Sequence, residues 1–306
     1  MDRSMQTASD DSSCSAEEQA TTPATTPATR LFLVPTPIGN MEDITFRAVR
    51  ILREADRIVA EDTRRTRKLL SHLGLDARRL SRLDANATDR DLDRVVGCML
   101  NHATVALVTD AGTPLVSDPG RALVERALSA GIGVVSLPGP SAVTTAIAAS
   151  GLVEGAFSFL GYAPRGQAER ATWIGMLADR TEPCVLFESP NRLTKTLQAI
   201  ADAMPNRRIV VAREISKAHE ELVRGTVREV SLLEREWVGE VTVVLGPWDD
   251  TMRPDVSDDE IDARIDQELA AGTHTKTVAG IVAAWSGLNR RDIYARVIER
   301  VSNQRF

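Results

Sequence analysis

Short apolar runs recur along the chain, and most stop at glycine, proline or a small polar residue. They are Leu31–Pro35, Arg57–Ala60, Val105–Thr109, Gly133–Leu137, Phe157–Gly161, Cys184–Ser189, Arg208–Arg213 and Glu240–Gly246. Runs of this length between turn signals predict buried strands. Between most of them lie stretches with helical spacing, such as Ile44–Arg53, Asp118–Ala130 and Asn191–Ala203, with Asp43 and Asp118 placed as N-caps. Strands alternating with amphipathic helices mean βαβ units and a largely parallel sheet. The pattern divides near 139–155. The second half then builds its own sheet, ending in a hairpin-like pair of Glu220–Val227 with Glu240–Gly246. Beyond a polar linker bounded by Pro247 and Pro254, the segments Ile261–Leu269, Thr277–Trp285 and Arg291–Val301 read as helices with no strand. The expectation is an α/β protein of two lobes, 30–145 and 146–250, followed by a helical module, 251–306.

Residues 1–29 follow a different rule. They contain TTPATTPAT and no aromatic or branched aliphatic residue. Such a tail cannot bury enough apolar surface to offset the entropy of ordering it, so it is expected to be disordered. It lacks the apolar core of a signal peptide, and no later segment has the length of a membrane span. Cys14, Cys98 and Cys184 are far apart, with no CxxC pair. Neither a disulfide framework nor a zinc site is supported, and a reducing cytoplasm is the simplest setting.

The net charge of −6 hides an uneven distribution. Between Arg47 and Arg82 stand eleven Lys or Arg residues against five acidic ones. Such a surplus either neutralises phosphates or forms a salt-bridged helix face, and the sequence leaves both open.

Three strand ends share one grammar. LFLVPTPIGN (Leu31–Asn40), VALVTDAGTP (Val105–Pro114) and GVVSLPGPSA (Gly133–Ala142) each pass from an apolar strand into Gly, Pro and small polar residues. In open α/β sheets, ligands bind in the crevice beyond the carboxyl ends of the strands, where these loops would gather. No GxGxxG opens a helix after the first strand, and GxxxxGK[ST], HExxH and GxSxG are absent. A nicotinamide site, a P-loop and the common hydrolase motifs are therefore not supported, and no metal-ligand spacing appears. What remains are polar clusters at strand ends: AEDTR (Ala60–Arg64), DAGTPLVSDPG (Asp110–Gly120), FESPNR (Phe187–Arg192) and REISKAHEE (Arg213–Glu221). Each alone reads as a cap or a salt bridge. Together, at strand ends that converge, they read as a site.

These clusters, in this order over Leu31–Gly246, resemble the ribosomal RNA small subunit methyltransferase I family of the tetrapyrrole methylase superfamily. The similarity extends to TKTVAGIVAAWSGLNRRDIYARV (Thr275–Val297) in the tail. The resemblance implies 2′-O-methylation of a cytidine ribose in the decoding region of small-subunit ribosomal RNA, with S-adenosylmethionine folded in the cleft between two α/β lobes. It also implies a homodimer, with the ribosomal RNA or the assembled 30S subunit as partner; the residues themselves predict no metal and no membrane. Methyl transfer is an in-line displacement that needs alignment and a base near the hydroxyl. Asp62, Glu221 and Lys217 (if neutral) are the candidate bases, with Arg64 and Arg213 as phosphate clamps. Pro37, Ile38, Gly39 and Asn40, then Asp110, Gly112, Thr113 and Pro114, then Ser141 and Ala142, with Phe187, are the candidate cofactor contacts. Two rival readings are a tetrapyrrole methylase of the same fold and a non-catalytic RNA-binding assembly factor. The basic stretch argues against the first. The scarcity of aromatic residues for base stacking argues against the second.

Overall fold

A computed structural model describes residues 30–252 and 256–303. The expectations for the tail 1–29, Cys14 and Pro254 lie outside the described residues. Cys98 and Cys184 are both free thiols, one in each half of the chain.

The first sheet contains β1 (Arg30–Val34), β2 (Arg57–Ala60), β3 (Leu80–Arg82), β4 (Val105–Val108) and β5 (Gly133–Ser136). Its order is β3-β2-β4-β1-β5, and every pairing is parallel. Helices α1 (Phe46–Glu54), α2 (Thr63–His72), α3 (Asp89–Leu100), α4 (Arg121–Ser129) and α5 (Ala142–Ser150) follow the strands in turn. Alternate strand residues feed two separate cores. Leu31, Leu33, Val59, Val105 and Leu107 pack on one face. Phe32, Val34, Ile58, Ala60, Ala106 and Val108 pack on the other. Burial on both faces explains why these strands read as continuous apolar runs rather than alternating ones. Because β4, β1 and β5 are adjacent and parallel, the loops that follow them lie side by side at one edge.

The second sheet contains β6 (Ser158–Tyr162), β7 (Cys184–Glu188), β8 (Arg208–Arg213), β9 (Glu221–Thr226) and β10 (Val241–Leu245), in the order β6-β7-β10-β8-β9. Only β6 and β7 pair in parallel; the other three pairings are antiparallel. The expectation of a largely parallel sheet therefore describes the first sheet and not the second. The expected pairing of Glu220–Val227 with Glu240–Gly246 is also corrected. β9 pairs with β8, with Arg213 opposite Glu221, and β10 inserts between β7 and β8. The residue types give the reason. VTVVL is buried at all five positions and belongs in the sheet centre, whereas ELVRGT carries polar groups and sits at an edge.

Two helix caps are corrected as well. Asp43 lies in a 3-10 turn, Met41–Asp43, and α1 is capped by Thr45, whose side chain accepts from the Ala48 N–H. Asp118 precedes α4 without capping it: Gly120, at φ 121°, holds the cap position. The short β3 was not foreseen, since LSR is brief and polar.

Helices α6 (Gln167–Ala178), α7 (Pro190–Ala203) and α8 (Val227–Ser231) accompany the second sheet. The tail forms α9 (Asp258–Ala270), α10 (Thr275–Ser286) and α11 (Arg290–Asn303) around Ile261, Ile265, Val278, Val282, Ile293 and Val297. Arg296 and Arg300 pair with Asp258, Asp262 and Asp266 and tie α11 to α9. Helix α10 lies against α6 and α7, which fixes the module on the second lobe. Among the described residues, no helix is long and apolar enough to cross a membrane.

Candidate active site

The three loops after β1, β4 and β5 are joined to one another. Thr36 and Gly112 exchange backbone hydrogen bonds of 3.0 and 2.9 Å. The Thr36 hydroxyl donates to the Thr109 carbonyl at 3.0 Å, and the Thr113 hydroxyl donates to the Pro140 carbonyl at 3.1 Å. Gly112 has φ 79°, a left-handed conformation that favours glycine, and a Cβ there would lie 3.3 Å from the Ile38 side chain, a tight contact. Just beyond, Leu115 (φ 72°) and Ser117 (φ 65°) hold left-handed conformations that cost free energy for non-glycine residues. The segment is therefore held in place by its surroundings rather than by its own preference.

These loops form one wall of a cleft of about 420 Å³ between the two sheets. Its first-lobe lining includes Ile38, Glu61, Arg65, Asp110–Thr113, Val116–Asp118, Ser141 and Ala142. The second lobe supplies Tyr162, Phe187–Pro190 and Gly239–Thr242. The volume suits one small ligand. On the second-lobe side, Phe187 packs with Phe159 and Tyr162, at ring-centroid separations of 5.0 and 5.6 Å. The lining thus combines the aromatic rings of Tyr162 and Phe187 with the carboxylates of Glu61, Asp110, Asp118, Glu188 and Glu240.

The charges interact. Burial holds the Glu61 carboxyl above the usual carboxylate range; the charges of Asp110, Asp118 and Asp84 add to this, and Arg65 opposes it. Burial also raises Asp118, less so because the Thr109 hydroxyl donates to it at 2.6 Å, and Asp110 raises it further. The Tyr162 phenol is pushed up by burial and by the charges of Asp118, Glu240 and Glu188. Arg65 stands 3.5 Å from Asp110. Glu188 is buried but satisfied, accepting from the Ser189 N–H at 2.8 Å and the Thr196 hydroxyl at 2.7 Å. Such a cleft favours a ligand that carries positive charge beside an apolar or aromatic body.

Seven of the eleven candidate cofactor contacts line this cleft: Ile38, Asp110, Gly112, Thr113, Ser141, Ala142 and Phe187. Pro37, Gly39, Asn40 and Pro114 are not in its lining. Pro114 is buried beneath it. The Asn40 side chain accepts from the Glu42 N–H, and its own N–H donates to the Ser216 hydroxyl at 3.1 Å. Gly39 packs against the backbone of Ile215 and Ser216. Both therefore join the first lobe to the loop after β8, where Ser216 also hydrogen-bonds to Asp43.

The four candidate catalytic residues lie outside the lining. Asp62 caps α2, accepting from the Arg64 N–H at 2.8 Å, and the Arg64 side chain folds back onto it. Its backbone N–H donates to Asp110 at 3.1 Å, which leaves Asp62 beside the site with its carboxylate turned to the helix. Lys217 is pinned by Glu214 at 2.8 Å and Glu240 at 3.1 Å. Burial pulls its ammonium down, but the hydrogen bonds and charges of those two carboxylates together hold it above the ordinary lysine value. The neutral form that a base requires is thus disfavoured. Glu221 is gripped by Arg235, desolvated in part, and also bonded by Arg213 at 3.1 Å, which brings its carboxyl down to about 2. Such a carboxylate is a weak base. Arg213 is occupied by the same pair, which counts against its reading as a free phosphate clamp.

Six further residues line the cleft: the sequence reading took Asp118 as a cap and Arg65 as part of the basic stretch, gave Glu61 and Glu188 no role within their clusters, and did not single out Tyr162 or Glu240. One signal was available within AEDTR. An Asp placed two residues before Arg64 at a helix start is the expected cap, which leaves the preceding Glu61, the first residue after β2, as the free carboxylate. Among the described residues, no group of three or more His, Cys, Asp or Glu side chains is arranged to hold a metal ion.

Residues 30–231 match the family model of the tetrapyrrole (corrin/porphyrin) methylases. The chain is 37% identical over 269 residues to ribosomal RNA small subunit methyltransferase I of Halalkalibacterium halodurans, covering 86% of this chain and 93% of the relative. It is 38% identical over 275 residues to the protein of that name in Mycobacterium tuberculosis, covering 88% and 95%. The Thermotoga maritima protein is 44% identical over 218 residues, covering 71% and 97%. Among solved structures, the fold is similar to a diphthine synthase (TM-score 0.55, 17% identity, 73% of this chain and 92% of that one). It is also similar to uroporphyrin-III-C-methyltransferase of Thermus thermophilus (TM-score 0.52, 18% identity, 71% and 94%).

Proposed function

The chain belongs to the tetrapyrrole (corrin/porphyrin) methylase family and, within it, to the ribosomal RNA small subunit methyltransferase I family, and on that premise we propose that it methylates the ribose 2′-hydroxyl of a cytidine in the decoding region of small-subunit ribosomal RNA, using S-adenosylmethionine. The observation that carries this reading is the convergence of three strand-end loops on an acidic, aromatic-walled cleft. The cleft's chemistry fits the cofactor. Glu61, Asp110, Asp118, Glu188 and Glu240 offer negative charge to a sulfonium and an ammonium, and Arg65 offers one positive charge to a carboxylate. The small side chains of Ser141 and Ala142 allow close approach at the start of α5. Bound there, S-adenosylmethionine supplies an electrophilic methyl group.

The chain's own residues have two tasks. The loops after β1, β4 and β5 fix one reactant, and the rim of the cleft must orient a ribose hydroxyl and take its proton. Glu61 is the proposed acceptor. Its raised pKa makes it a stronger base than an ordinary carboxylate, and among the described residues no hydrogen bond holds its carboxylate. Asp118, also raised, is engaged by Thr109 and serves to position the loop. A homodimer acting in the cytoplasm on the RNA or the assembled 30S subunit is part of the same proposal and rests on the resemblance.

The test is methyl transfer from labelled S-adenosylmethionine to small subunits from cells that lack this protein, with ribose methylation mapped on the RNA. One new 2′-O-methylcytidine in the decoding region is expected. Label on a base, on a tetrapyrrole, or nowhere would overturn the reading.

A further inference from the structure

A second cavity has no part in the site described above. It is a groove of about 950 Å³, more than twice the volume of the cleft at about 420 Å³. Helices α6 and α7 of the second lobe form one wall, and the turn from α9 into α10 forms the other.

Its charge is unbalanced. Arg165, Arg170, Arg192 and Lys195 line it, with Asp202 and Glu268 as the acids. Glu268 is already matched by Arg264 at 3.0 Å. Arg170 donates to the neutral carbonyls of Pro164 and Arg165, so its charge is uncompensated by those bonds. Arg165 and Lys195 are exposed and form no ion pair among the described residues. The first turns of α6, α7 and α10 also border the groove, and no side chain caps any of the three. The N-terminal ends of these helices add to a positive field that the side chains already establish.

The groove adjoins the cleft through one helix. Ser189 and Pro190, at the start of α7, line the cleft, while Asn191 and Arg192 of the same turn and Lys195 of the next line the groove. Pro190 and Lys195 are about 8 Å apart along the axis at the α-helical rise. Arg192 spans the boundary, 3.2 Å from the buried Glu188 of the cleft. Among the described residues, no aromatic ring besides His274 lines the groove, so it is built to hold charge rather than to stack bases.

We infer that this groove holds the sugar–phosphate backbone of the RNA strand next to the methylated nucleotide, clamped between the second lobe and the helical module. The inference rests on the RNA reading proposed above and adds a location and a contact type to it. Phosphate contacts fix register without reading sequence, and this is what a site that must present one ribose requires. The helical module thereby gains a role as the far wall of the track.

The test uses the full-length double variants R165E/K195E and R165Q/K195Q. Both residues are exposed and outside the cleft lining, so S-adenosylmethionine affinity and melting temperature should stay at wild-type values. The affinity for small-subunit RNA, measured against salt, should fall at least tenfold for the charge reversal. For R165Q/K195Q, the slope of log affinity against log salt should shrink by roughly one to two units, as two phosphate contacts are lost. Wild-type RNA affinity and salt slope in both variants, with methyl transfer intact, would overturn the groove assignment and leave the RNA reading standing. A loss of binding to an acidic protein with RNA binding unchanged would overturn it equally. A wild-type protein that neither binds nor methylates the RNA would overturn both.

Discussion

Arg235 grips Glu221 with both guanidinium Nη atoms, at 2.8 and 2.7 Å, while its own guanidinium carbon lies 4.3 Å from the ring centre of Trp237. This fork ties the edge strand β9 to the segment leading into β10. It makes Glu221 a structural carboxylate. A group held at about 2 contributes stability that is present above the ordinary carboxylate range and lost as pH falls toward 2. Glu221→Gln should therefore lower stability at pH 7 by about 1 kcal/mol, a value kept small by solvent screening of a partly exposed pair. The difference from wild type should shrink between pH 4 and pH 2, while kcat for methyl transfer stays within about twofold. Denaturation at several pH values checks the first, and a kcat loss of 100-fold would restore a catalytic role.

Glu61 has the opposite sign. Its carboxyl is raised by burial and by neighbouring acids, so its ionised form costs stability, and this cost grows as pH rises through its folded pKa. Glu61→Gln should therefore raise the melting temperature at pH 7 and leave it unchanged near pH 3. As the proposed proton acceptor, its loss should also lower kcat by about 10² or more. Wild-type kcat should rise with pH through the same raised pKa. A variant that is both more stable and still fully active would remove Glu61 from the chemistry.

The two variants show what the residues disclosed in advance. Apolar runs revealed all of the first sheet except β3, because strands buried on both faces have no polar positions to interrupt them. They did not reveal strand order in the second sheet. Whether VTVVL pairs with its chain neighbour β9 or inserts between β7 and β8 depends on long-range competition for the central position. The loops that make the cleft were legible as Gly/Pro punctuation. The charged residues were not, because AEDTR and REISKAHEE each contain more carboxylates than one role needs. The cap position of Asp62 could be read from its place at a helix start, but only three-dimensional partners reveal the fork at Glu221 and the neighbouring acids that raise Glu61.

Gly39 is the tightest point between the first lobe and the loop after β8. A Cβ there would approach the Ile215 carbonyl oxygen to 2.9 Å. That oxygen is backbone and cannot swing away as a side-chain end would. Gly39→Val should cost roughly 1–3 kcal/mol of stability by overpacking. It should also weaken S-adenosylmethionine binding, since Ile38 beside it lines the cleft. Calorimetry of cofactor binding and thermal melting report the two effects separately, and an unchanged melting temperature would show that the contact is loose.

Ser141 lies at the N-cap of α5, half-buried in the cleft wall, with no side-chain capping bond to lose. Ser141→Trp should consequently leave the fold intact and reduce cofactor affinity by about tenfold or more, because a large ring would occupy the space beside Ala142. Circular dichroism matching wild type, with unchanged affinity for S-adenosylmethionine, would move the cofactor elsewhere.

The basic stretch 47–82 proves to be two populations. Arg50, Arg64, Arg65, Arg78 and Arg82 are paired with nearby carboxylates, and Arg79 donates to the carbonyls of Ala55 and Arg53. Arg67 and Lys68, both exposed on α2, have no ion pair among the described residues. A paired arginine has part of its charge already compensated and gains little from a phosphate, whereas an unpaired one releases a counterion when a phosphate binds. If RNA also crosses α2, Arg67→Ala with Lys68→Ala should lower the salt slope of RNA affinity by roughly one to two units. Arg50→Ala and Arg78→Ala together should change the slope little and stability by less than about 1 kcal/mol. Arg65 is left out of the comparison because it lines the cleft, and its loss would alter cofactor binding as well. An unchanged slope in the Arg67/Lys68 variant would take α2 out of the phosphate track.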